Sequence, residues 1–101
     1  MSKSIEALVI ERALQIMKRG WTNLTWAKDA EGNQVAWYSP RAVSFCAEGA
    51  VRLAVRELVG KGNHQLGETI LRRMPNNVLV VNDGEGKRAV MKLMRQRLAE
   101  L

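Results

Sequence analysis

Cys46, the only cysteine of this chain, stands two residues before Glu48, and the only histidine is His64. A thiol, a carboxylate and an imidazole are the parts of a nucleophilic site, in which a base or a cation favours the thiolate. Helical spacing argues against cooperation inside "AVSFCAEGAVRLAV". Each helical residue turns about 100°, so positions two apart point to opposite sides. Arg41, Glu48, Arg52 and Arg56 would then share a solvated stripe. Cys46 would join Ala42, Gly49, Ala50 and Leu53 on an inward face of small residues that lets a neighbouring helix come close. The expected role of Cys46 is structural burial, free cysteine being among the most buried residue types. A pair with His64, made by folding, is the reactive alternative. Gly49 costs about 0.5–1 kcal/mol against alanine in mid-helix, which fits a tightly packed contact.

Other chemistry is sparse. One cysteine and one histidine do not make the usual four-ligand zinc set. "VNDGEGKRA" has neither the dinucleotide fingerprint nor the P-loop spacing, and Asp83 and Glu85 would repel a phosphate. The expectation is therefore no catalytic residue, no cofactor and no metal. Two surfaces remain. Lys87, Arg88, Lys92 and Arg95 form a cationic stripe that could hold nucleic acid, although basic runs also serve as solvated faces. Trp26 and Trp37, with Tyr38, stand near Lys28 and Arg41; aromatics among cations suit stacking on unpaired bases, and equally suit a small core.

The elements that would carry these residues read as mainly helical. Ser4 can cap a first helix with Ile5, Val9, Ala13, Ile16 and Met17 inward, ending at a left-handed Gly20 before Trp21. Leu24 and Trp26, a "DAEGN" turn, then Val35 and Trp37 predict a small β-hairpin. Ser39 and Pro40 open a second helix that runs to about Gly60. A third spans Asn63 to Met74 and stops at Pro75. "NVLVV" reads as a short buried extended segment without an identified partner. Asn82 or Asp83 caps the last helix, with Val90, Met94, Leu98 and Leu101 inward. Arg97 falls on that inward side, so its stem should lie along apolar surface with its head in water. The fold expected is about four helices packed as one domain over residues 1–101, with a small β-hairpin between helices 1 and 2.

Composition limits the alternatives. The chain has 101 residues, 47% of them hydrophobic, enough for one core. A lone cysteine excludes an intramolecular disulfide, and no secretion signal or run of about 20 apolar residues is visible, which predicts a cytoplasmic protein that does not engage membranes. Sixteen Lys and Arg against ten Asp and Glu give a formal charge of +6, which can draw nucleic acid or an acidic protein surface.

Gly20-Trp21, Asp29 to Gly32, "AVSFCAEGA" from Ala42 to Ala50, and Asn82-Asp83 together resemble a family of small proteins, a domain of unknown function of bacteria, notably actinobacteria, and their phages. The resemblance implies no activity. It implies a phage-borne or mobile-element chain that binds a host component. The expectation is a non-catalytic binding or regulatory protein with a host or cellular protein as partner, or else a nucleic-acid-binding protein using the stripe on the last helix.

Overall fold

The computed structural model describes residues 3–101. The elements run α1 (Ile5–Arg19), β1 (Ala27–Lys28), β2 (Ser44–Phe45), α2 (Ala47–Leu58), α3 (His64–Arg72), α4 (Val78–Glu85) and α5 (Lys87–Ala99). The chain is mainly helical, with an antiparallel two-stranded hairpin between the first two helices. The described residues form five helices where about four were expected.

α1 forms where its sequence directs. Ser4 Oγ accepts the Ala7 N–H at 3.1 Å, and Val9, Ile10, Ala13, Ile16 and Met17 are buried. They face Ala47, Ala50, Val51 and Ala54 of α2, whose small side chains at steps of three and four let the helix axes approach. α5 lies antiparallel to α1: Lys87 reaches the Lys18 carbonyl at one end, and Arg97 reaches Glu6 at the other. Arg97 thus ends in ion pairs with Glu6 and Glu100, and does not project its head into water as expected.

The largest departure lies between Gly20 and Cys46. Ser39 and Pro40 do not start a helix; Ser39 Oγ instead accepts the Arg41 N–H, and the Ser39 carbonyl accepts the Ala42 N–H, closing a turn. Helix formation over residues 43–46 loses to pairing on two sides. Val43 and Cys46 donate to the carbonyls of Lys28 and Trp26, while Phe45 exchanges bonds with Gly20 and Thr22. The expected pairing of the Trp26 and Trp37 segments is reduced to the Asp29–Asn33 turn, a bridge of Lys28 with Gln34 and a Val35 N–H bond to the Ala27 carbonyl, while the paired strands set Ala27 opposite Phe45 and Lys28 opposite Ser44. Gly20 is extended, with φ −164°, and ends α1 for a different reason from the expected left-handed turn. A Cβ there would strike the Val43 carbonyl oxygen.

"NVLVV" is helix, not an extended segment. Asn77 Oδ1 caps the Leu79 and Val80 N–H groups, and burial falls on Val78, Val81 and Asn82, a helical spacing. Asn82 and Asp83 therefore sit inside α4 and do not cap the last helix, which begins after Gly86.

Candidate functional site

Cys46 opens α2; it does not lie two turns inside a helix. Its Sγ accepts the Gly49 N–H at 3.3 Å, so the thiol serves as the N-cap. The side chain is buried, at 5% exposure. Burial pushes the thiol above its ordinary value of 9.0; the N–H groups of Gly49 and Glu48 pull the other way, and the carboxylates of Glu48 and Asp83 add to the rise. A thiol held protonated in this way is a poor nucleophile.

Glu48 is buried, contrary to the solvated position expected of it, and is neutralised by Arg52 at 3.0 Å. Gly49 meets the backbone of the hairpin and not a second helix: a Cβ there would strike the Trp26 carbonyl oxygen. His64 begins α3 and lines a different cavity from the shallow crevice that Cys46 borders with Leu24, Trp26 and Asp83. The two side chains of the reactive alternative are not brought together.

Asn82 knots this region. It is 1% exposed, its Oδ1 accepts from Trp21 Nε1 at 2.9 Å and from the Ala47 N–H at 3.0 Å, and its Nδ2 donates to the Thr22 carbonyl and to Asp83 Oδ1. One amide thereby ties the end of α1, the start of α2 and α4, with both of its polar atoms satisfied. Gly20-Trp21, Phe45 to Gly49 and Asn82-Asp83 converge on this joint.

The cationic stripe is laid out as its spacing requires. Arg88, Lys92 and Arg95 are exposed on one side of α5, and none lies within ion-pair distance of a carboxylate among the described residues. Lys87 is drawn aside, its Nζ donating to the Lys18 carbonyl at 3.3 Å, where a cation complements the C-terminal end of α1. Other cations are spent internally: Arg12 on Glu57, Arg52 on Glu48, Arg73 and Arg97 on Glu6.

The two tryptophans have separate surroundings. Trp26 is 44% exposed, with the Arg52 guanidinium 5.1 Å from its ring. Trp37 is buried and meets Tyr38 edge to face at 5.2 Å, with Arg56 over both rings. That arrangement was not visible in the sequence, where Arg52 and Arg56 read as a solvated stripe. Their four-residue spacing signalled a shared face. Nothing local signalled that the hairpin loop would fold onto it.

Among the described residues no helix is long and apolar enough to cross a membrane, and no three His, Cys, Asp or Glu side chains gather as a metal site. No protein-family model, curated protein or solved structure matches the chain.

Proposed function

We propose that the chain is a small non-catalytic binding protein whose partner is a nucleic acid, engaged through the outer face of α5. The supporting observation is the unpaired row of Arg88, Lys92 and Arg95. Steps of four and three keep the row within about 60° of the helix circumference and spread it over about 10 Å, a reach that spans successive phosphates. The row is also locally unfavourable. Arg88 stands at the positive end of the α5 dipole, the first turn has no acidic residue, and Gly86 supplies no side-chain cap. A helix meant only to be stable would carry Asp or Glu there.

The test is joint replacement of Arg88, Lys92 and Arg95 by glutamine, with retention on duplex DNA and on RNA followed against salt. Loss of three phosphate contacts should flatten the slope of log K on log salt by about 3. No retention of the unmodified chain at moderate salt, or an unchanged slope, rejects the reading.

A regulatory protein that docks on a host component is a second reading, in keeping with the resemblance to bacterial and phage proteins. Leu24 supports it: 80% exposed, it stands beside Trp26 and Leu79 at the Cys46 crevice. Capture from host lysate with nuclease present, compared with a Leu24→Asn variant, separates this reading from the first.

A further inference from the structure

Arg56 pairs with no carboxylate among the described residues, yet it is held in place by aromatic rings. Its guanidinium carbon lies 5.9 Å from the centroid of Trp37 and 5.6 Å from that of Tyr38. Cation–π contact fixes the head group without neutralising its charge, so Arg56 keeps its hydrogen-bond donors for another partner. The side chain forms one wall of a cavity of about 160 Å³ between the hairpin loop, α2 and the turn into α3.

The lining also includes the Gly60–Asn63 loop and the start of α3. Lys61 stands between Gly60 and Gly62, whose φ values of +112° and +84° fold the loop in a way that side chains resist, with open space where a Cβ of either would stand. Asn63 precedes α3 but does not cap it: its Nδ2 turns back to the carbonyls of Gly60 and Lys61. The first-turn N–H groups of α3, from His64 onward, are left without a side-chain acceptor at a helix end that favours anions. No carboxylate lines the cavity among the described residues, and Glu48 and Glu68 lie 3.0 and 4.0 Å from Arg52, the other arginine of its lining. At the rim, Tyr38 is exposed and braced edge-on by Trp37, offering a flat apolar surface beside the cationic pocket.

We propose that this cavity binds a phosphate monoester bearing a planar heterocycle, the chemistry of a nucleoside monophosphate. The phosphate sits on Arg56, Lys61 and the first-turn N–H groups of α3, and the ring lies on Tyr38. Phosphate geometry suits a guanidinium fork combined with backbone donors, and ring stacking explains why an exposed tyrosine flanks them. The site is separate from α5 and independent of its binding role.

The full chain is titrated with AMP and with CMP, and in parallel with inorganic phosphate and with adenosine, following the amide NMR shifts of residues 60–67. The expected result is saturable binding of a nucleoside monophosphate at least about tenfold tighter than of phosphate or nucleoside alone. Arg56→Gln and, separately, Lys61→Gln at the exposed loop should each weaken it by about tenfold, while Tyr38→Ala should bring the nucleotide down to the affinity of phosphate. The Arg88, Lys92 and Arg95 replacements should leave it unchanged. No saturable shift of these amides up to about 10 mM nucleotide, or undiminished binding by Lys61→Gln and a natively folded Arg56→Gln, overturns the proposal.

Discussion

The indole N–H of Trp21 donates to Asn82 Oδ1 across 2.9 Å, joining the second residue past α1 to the interior of α4. The same oxygen accepts the Ala47 N–H that starts α2. Replacing Asn82, which is 1% exposed, by leucine keeps the approximate volume but strands the Trp21 and Ala47 donors. Each buried unsatisfied group costs about 1–3 kcal/mol, so Asn82→Leu should lose about 2–5 kcal/mol. Urea unfolding followed by tryptophan fluorescence measures it, and a loss below that range would mean the joint relaxes to find other acceptors.

Cys46 is a cap before it is a thiol. Serine is a preferred N-cap and sulfur a weak acceptor, so Cys46→Ser should hold the start of α2 better than Cys46→Ala, which should cost about 1 kcal/mol. Because burial raises the folded thiol above 9.0, the native state binds its proton more tightly than the unfolded chain does. The stability from this residue is present below pH 9.0 and drains away as the pH rises past it. Cys46→Ser should remove that alkaline decline, read from urea midpoints across pH 8 to 10.

Glu6 gathers two arginines from the far end of the chain, Arg97 at 2.7 Å and Arg73 at 3.1 Å. Burial alone would raise its carboxyl, but the hydrogen bonds and charges of Arg97 and Arg73 together hold it below its ordinary value of 4.5. The folded state therefore releases this proton more readily than the unfolded one. Its contribution is present above pH 4.5 and is lost as the pH falls below that value. Glu6→Gln should cost about 2 kcal/mol at neutral pH, and its stability curve should converge with that of the unmodified protein in acid. Curves that stay parallel would assign the loss to packing instead.

Legibility in the sequence followed how locally each element is determined. α1 was readable because its cap, Ser4, and its apolar stripe lie in one stretch. The start of α2 was not, because the strong Ser39-Pro40 signal yields to hydrogen bonds that Phe45 and Cys46 donate to the carbonyls of Gly20 and Trp26, residues distant in sequence. "NVLVV" misled for a related reason. A β-branched run prefers a strand only if a partner strand exists, and here Asn77 caps it into a helix. Gly20 and Gly49 stood out as glycines, but the carbonyls of Val43 and Trp26 that demand them come from elsewhere. The row of Arg88, Lys92 and Arg95 on α5 was legible since it needs only helical spacing, but the turn of Lys87 to the Lys18 carbonyl was not. The Arg56 cavity was not, being assembled from three separate segments.

Leu24 is the one residue other than glycine with positive φ, at 65°, among the described residues. Its main-chain N–H is fixed to Asp83 Oδ1 at 2.9 Å, which imposes the conformation while the side chain stays in water. A left-handed backbone costs a leucine about 1 kcal/mol, and asparagine tolerates it far better. The bond to Asp83 uses only the backbone, so Leu24→Asn keeps it and relieves the strain. The variant should be more stable by about 1 kcal/mol, seen as a higher melting temperature with an unchanged amide spectrum away from the loop. Asp83→Ala should act in the opposite direction, since the N–H then loses its acceptor. A strained, exposed leucine that a single substitution improves has no folding reason to be there. On the proposed docking reading, that side chain is kept for the contact beside Trp26 and Leu79.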